Sequence, residues 1–541
     1  MFEIKSNLID LERKEIYACK LVIAEGKIKS VEKINETVEG YILPGFVDAH
    51  VHVESSMLVP SEFAKVAVIH GTVGTISDPH EIANVMGIEG VEYMIDNGKQ
   101  VPFHFYFGAP SCVPATNFET AGAVIDSKDI DYLLSKKEIV YLAEMMNFPG
   151  VIHKDPEVML KLEAAKNHGK VIDGHAPGLR GEGMRAYFSQ GITTDHECFK
   201  YEEGKEKAEF GVKILIREGS AAKNFDELIP LLKEFPNQIM FCSDDKHPDN
   251  LVEGHINQLV KRALAKGYDL FDVLRASSYN VIKHYNLEVG YLQEGQAADF
   301  IQIDNLNDFN VLSTFIKGNK VAEKGTSFIT APKAPIINNF NCSKKDPVDF
   351  KLNLKGTKVR VIEALNGQLI THELHEQIKL NNGDVICDTD QDILKISVIN
   401  RYNEAPIATA LIKNFGLKSG AIASCVAHDC HNIVVVGTNN KDMAEAANLI
   451  IQAKGGISLA NGDTKMSIEL PIAGIMTNED ANEISAKYIA IDKAVKNLGS
   501  KLGAPYMTLS FMALLVIPQL KLSDKGLFDG HKFEFVDLVI D

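Results

Sequence analysis

The sequence predicts an α/β protein built on a (β/α)₈ TIM-like barrel. A small β-sandwich from segments before and after the barrel, and a C-terminal α/β domain, complete it. Three observations predict this. Between about residues 46 and 290, eight short β-branched or aromatic runs alternate with helix-like segments at ~20–37 residue spacing, the signature of successive βα units. The 541 residues exceed one domain and suggest two to four at roughly 150 residues each. Histidines and carboxylates recur at the ends of several runs, which favours a barrel over the competing open doubly wound sheet.

In chain order the strands are GFVDAHVH (45–52), GTVGTISD (71–78), PFHFYFGAP (102–110) and IVYLAEMM (139–146). They continue with KVIDGHAP (170–177), GITTDHE (191–197), VKILIREG (212–219) and QIMFCSDD (238–245). Helix-like segments between them include SEFAKVAVIH, VEYMIDN, EVMLKLEAAKNHG and DELIPLLKEF. Residues 46–289 are thus expected to form the barrel.

The flanks read differently. Residues 1–45 carry short alternating strands with a turn at Glu25-Gly26, and residues 290–335 carry another set. Neither can bury a core alone, so the two are expected to pair as one β-sandwich. The stretch APKAPIINNFNCSKKDP looks like a linker. Residues 340–541 form the third unit, with a buried-type strand NIVVVGT and helices KDMAEAANLIIQAKGG and ANEISAKYIAIDKAVKNLG.

Composition bounds the function. The chain has 56 Lys+Arg against 73 Asp+Glu, a net charge of −17. That balance opposes nucleic-acid and anionic-membrane partners, which need clustered positive charge. The start, MFEIKSNLIDLERKE, has no apolar signal core. The apolar run Leu509–Ile517 is about half a membrane span and stops at Pro518. Eight cysteines without paired spacing fit a reducing cytosol. The expectation is a cytoplasmic protein.

The most informative run is Pro44-Gly45-Phe46-Val47-Asp48-Ala49-His50-Val51-His52. Residues two apart on a strand share a face, so His50 and His52 project together as a chelating pair, with Asp48 on the same side. An H-x-H pair alone is weak. Further strand ends supply Glu144, His175, His196 and Asp244. Each alone has an ordinary structural explanation, such as a core histidine or a helix-capping aspartate. All of them at C-terminal strand ends, where barrels place their chemistry, point to a metal site.

This pattern resembles the amidohydrolase superfamily over about residues 1–325. The resemblance implies His50, His52 and Asp244 on one ion, His175 and His196 on the other, and a bridging ligand from strand four. In hydantoinase- and dihydroorotase-like members the bridge is a carboxylated lysine. IVYLAEMM has none, so the bridge falls to Glu144. Adenosine-deaminase-like members carry Glu three residues after the strand-five His; here Gly178 stands there. The wording of VHVESSMLVP, ISDPHEIANV, EMMNFPGV, DGHAPGL, GITTDHE and FCSDDKHP resembles the adenine deaminase family. AHDCHNIVVVG, IELPIAGIMT and LGAPYMTLSFMALLVIPQLKLSDKGLFD extend the resemblance across nearly the whole chain.

That resemblance implies hydrolysis of adenine to hypoxanthine and ammonia by a metal-activated hydroxide, in purine salvage. Two divalent ions per subunit are expected, Mn²⁺ or Fe²⁺, with Zn²⁺ also compatible with the ligand set. Adenine is the expected small-molecule partner and a homodimer the expected assembly. Asp244 is expected to take the hydroxide proton and pass it to the amino group. Glu81, in Asp78-Pro79-His80-Glu81, is expected to protonate purine N1; its plainer role is a carboxylate in a helix first turn. Asp78 and His80 are expected to orient a ligand or touch a ring nitrogen. Asp245 should point away from Asp244 if the strand continues. The Ala427–Asn432 loop reads as a polar strand entry, or as a lid bringing His428 and His431 to the purine or an extra metal.

The nearest alternative is a cyclic-amide or N-acetyl hydrolase on the same barrel, opposed by the missing lysine and the C-terminal domain. A catalytically dead binding protein would have lost a ligand, and all six stand in the sequence. A nucleic-acid-editing role lacks any basic groove.

Overall fold

The computed structural model describes residues 1–540. All eight expected strands are present: β1 (Phe46–Val51), β2 (Thr72–Ser77), β3 (His104–Ala109) and β4 (Ile139–Met145), then β5 (Val171–Gly174), β6 (Thr194–Asp195), β7 (Lys213–Arg217) and β8 (Ile239–Cys242). β1 to β5 pair in order, as do β6 to β8. Parallel bridges Ile172↔Ile192 and Val51↔Asp244 join the two arcs, giving a TIM-like barrel. Every residue of β1 and β2 is buried, as parallel strands covered by helices must be.

Helices Pro60–Ala67, Ile88–Gly98 and Pro156–Asn167 lie where the sequence predicts them. DELIPLLKEF does not form one helix. It splits into Phe225–Leu228 and Leu231–Glu234, because Pro230 lacks the N–H that would continue the first turn.

The two flanking segments do join, in one continuous hydrogen-bonded eight-stranded sheet. Strand Tyr41–Pro44 is the seam. It pairs with the N-terminal strand Phe2–Asp10 on one side and with Phe300–Ile303 on the other, Phe300 opposite Pro44. Leu8, Leu21, Ile23, Phe300 and Phe315 form a core of their own there.

The C-terminal part holds a second eight-stranded sheet, with Leu394–Ile399 and Ile433–Gly437 at its centre. Helix Asn440–Ala453 packs on it through Met443, Ala446, Ala447 and Ile450. Leu509–Ala513 is buried in this part as the end of helix Pro505–Ser510 and a 3₁₀ turn, and Leu514, Leu515 and Ile517 are buried beyond it. The C-terminal part sits against the barrel mouth. Thr477 exchanges backbone hydrogen bonds with Met57 and Val59 (2.9 and 3.1 Å), just past β1. Residues 331–346 carry no helix or strand, as a linker should. They are nonetheless pinned, since Asn338 donates to Lys454 and Pro471 carbonyls.

Candidate active site

The site is assembled from the C-terminal ends of the barrel strands. His50 and His52 leave β1 on one side, their Nε2 atoms 3.1 Å apart. His52 Nδ1 faces the Asp78 carbonyl at 3.1 Å, which can only accept, so Nδ1 carries the proton and Nε2 is left for the cluster. Asp48 does not join them. It accepts from the His50 and Ser243 N–H groups and contacts His255 at 2.8 Å, tying β1 to β8.

Glu144 lies between the histidine pairs. Its Oε1 is 3.4 Å from His52 Nε2 and 3.9 Å from His50 Nε2, while Oε2 is 2.6 Å from His175 Nδ1 and 3.1 Å from His196 Nε2. Burial alone would push this carboxyl up. The rings of His175 and His196 outweigh that and hold it well below the usual carboxylate range. Asp244 Oδ1 stands 3.3 Å from His52 Nε2 and 3.8 Å from His50 Nε2, and Oδ2 pairs with Arg217.

These residues suit divalent cations. Imidazole and carboxylate ligands converge in several groups of three or four, including His50–His196–Asp244 and Glu144–His175–His196.

A second cluster adjoins the first. Asp78 accepts from the His80 backbone N–H (3.1 Å) and contacts His80 Nδ1 (3.0 Å), which orients the ring. His80 Nδ1 is 3.4 Å from Glu144 Oε1, and its Nε2 is 3.3 Å from Glu81 Oε1. Glu81 sits in the first turn of helix His80–Met86. Its two oxygens are bonded by His428 and His431, so the C-terminal loop reaches the barrel mouth and is not merely a polar strand entry. Burial pushes Glu81 up, but His428, His431 and His80 hold it ionised, well below its ordinary value. Burial lowers His428, yet Glu81 and Asp245 raise it to about 9.

Asp245 does not point away. β8 ends at Cys242 and Asp244 takes a left-handed φ of 53°, so strand alternation stops before this pair. Asp245 accepts from Ser55 Oγ at 2.5 Å and lies 3.8 Å from His428 Nε2.

Sequence reasoning missed Arg217 and Glu197. Arg217 ends β7, and its Nη1 donates to both Asp244 and Glu197, with Nη2 to Glu197 Oε2 at 3.0 Å. Glu197 Oε1 is 3.6 Å from His196 Nε2. The signal for Arg217 is available: β7 is the one late strand without an expected mouth residue, and it ends in this arginine. Both residues border a chamber of about 1000 Å³ between the barrel loops and the C-terminal part, with Met146 and Phe533 among its walls.

Residues 41–321 match the amidohydrolase family, and residues 368–534 match the adenine deaminase C-terminal domain. A Salinibacter ruber protein named adenine deaminase is 52% identical over 542 residues, covering 100% of this chain and 99% of its own. A Methanosarcina mazei protein of the same name is 50% identical over 547 residues, covering 99% of each. Among solved structures, a β-aspartyl dipeptidase from Fervidobacterium islandicum is 15% identical with a TM-score of 0.46, over 60% of this chain and 96% of its own. With full-length relatives of that name and both family regions present, the chain belongs to the adenine deaminase family of amidohydrolase-type hydrolases.

Proposed function

We propose that the chain deaminates adenine hydrolytically to hypoxanthine and ammonia, using two divalent cations held by His50, His52, Glu144, His175, His196 and Asp244. The observation that carries this is Glu144, with one oxygen turned to each histidine pair. The cations, Mn²⁺ or Fe²⁺ by the family resemblance, with Zn²⁺ equally compatible with the ligand types, would supply hydroxide at neutral pH.

The remaining chemistry falls to side chains. Adenine C6 is a poor electrophile and its amino group a poor leaving group, so protons must move. Asp244 accepts the proton of the attacking water and passes it to the departing nitrogen. Glu81 serves N1. It is ionised at rest, so the proton it delivers is the one it shares with His428, whose raised value keeps it protonated at neutral pH. His431 anchors the other Glu81 oxygen, and Asp78 aims His80.

The same reading takes residues 46–289 as the catalytic barrel, 1–45 with 290–335 as the flanking sheet unit, and 340–541 as the C-terminal domain. A role in purine salvage, a cytoplasmic location and a homodimeric assembly belong to it. All eight cysteines are free, which suits a reducing compartment, and no helix among the described residues is long and apolar enough to cross a membrane. Ammonia release from adenine, compared with adenosine, by purified protein with and without Mn²⁺ or Fe²⁺ tests it. No release from adenine under any metal condition would overturn it.

A further inference from the structure

Arg217 has donors that nothing in the protein uses. A guanidinium carries five N–H groups in a planar fork. Three are committed: two from Nη1, to Asp244 and Glu197, and one from Nη2, to Glu197. The Glu197 carboxylate therefore covers the end of the fork. The side edge, Nε–H with the second Nη2 hydrogen, remains. Nε is buried and has no hydrogen-bond partner. Arg217 is 7% exposed, and what it exposes borders the chamber. Leaving a buried cationic donor unmatched is costly, and an entering molecule with acceptors would match it.

We infer that this open edge of Arg217 binds purine N7 and the oxygen gained at C6, and so stabilises the transition state and the product over adenine. The inference rests on the deaminase reading above. An arginine edge holds two donors and matches two adjacent acceptors, as when arginine reads N7 and O6 of guanine. Adenine offers N7 as an acceptor but N6 as a donor, so it satisfies only half of the edge. As the C6–O bond forms and the C6–N6 bond breaks, with the proton from water leaving on ammonia, an acceptor replaces that donor. The contact is complete only once oxygen is present, the condition for lowering the barrier and not merely binding substrate.

The same edge fixes which way the ring lies. Hypoxanthine carries a hydrogen on N1, and a donor-only edge rejects an N–H. N7 must then face Arg217, and N1, on the other side of C6, turns away from it. Glu81, which follows β2, lies three strands from Arg217 on β7 around the eight-stranded ring and is placed to take that side. Glu197 acts through Arg217 and is a positioning residue.

The experiment compares hypoxanthine with 7-deazahypoxanthine as competitive inhibitors of ammonia release from adenine, using metal-loaded wild type and Arg217→Lys. Wild type should bind the 7-deaza compound about tenfold or more weakly, the range for a hydrogen bond to a charged group. Arg217→Lys should bring the two within about threefold and lower kcat far more than it moves KM, with metal content retained. Equal inhibition of wild type, or a ratio unchanged in Arg217→Lys, overturns the inference. Should that variant lose metal, Glu197→Gln, which frees the fork, must narrow the ratio instead; an unchanged ratio there overturns it equally. If wild type releases no ammonia from adenine, the deaminase reading fails. Calorimetric binding of the two purines to wild type then still decides whether Arg217 reads N7.

Discussion

Glu81 of the barrel and His428 of the C-terminal part, 347 residues apart in sequence, share a hydrogen bond inside the barrel mouth, and His431 takes the second Glu81 oxygen. All three side chains are buried. A carboxylate in that position would resist ionisation by itself; the imidazoles keep it charged. The C-terminal part thus sets the state of a barrel residue, and the site is shared by two parts of the chain.

The pH dependence follows from that pair. His428 is raised from 6.5 to about 9, so its contribution to stability is full below 6.5 and is lost as pH rises through about 9. The same ionisation removes the proton assigned to N1. kcat should therefore fall as pH rises through about 9, and His428→Gln should lower kcat and abolish that alkaline limb. A wild-type profile flat to pH 10, or a limb surviving in His428→Gln, would contradict the assignment.

Glu81 and Asp244 should separate in their effects on metal. Glu81 touches His428 and His431, whereas Asp244 faces the His50–His52 pair. Glu81→Gln should keep metal and lose about 10²-fold or more in kcat, the range for a general acid. Asp244→Asn should lose both activity and metal affinity, and would also leave Arg217 with one carboxylate fewer. Metal analysis beside steady-state rates checks both.

Glu144→Gln tests the bridge. A neutral amide offers one acceptor oxygen where the carboxylate offers two, one toward each histidine pair. Metal retention and turnover should both collapse. A variant with normal metal content and near-normal kcat would mean that another group joins the two sides.

Much of this was legible in the sequence because it is local. The eight strand runs carry β-branched residues with a short period. His50 and His52 share a face for the same periodic reason, and Glu144, His175, His196 and Asp244 fall at ends of runs. Pro230 could have been read as a helix break, since its ring removes an N–H wherever it stands.

What stayed hidden depends on tertiary contact. Asp245 points away from Asp244 only if the strand continues, and it does not: alternation ends after Cys242, before the left-handed turn at Asp244. That the two flanking sets pair is expected from their shortness, but periodicity does not show that Tyr41–Pro44, paired on both edges, is the seam. His428 and His431 lie in a loop with no spacing to link them to Glu81. Arg217 was overlooked because a cation is not a metal ligand, although its place at a strand end marks it as part of the mouth.

In the proposed mechanism Glu144 joins two cations that activate water for adenine. Metal-free protein should be titrated with Mn²⁺ or Fe²⁺ while ammonia release from adenine is followed. Activity should rise to a plateau at two equivalents per chain, with little at one. A plateau at one equivalent, or full activity in protein stripped of metal, would contradict the account.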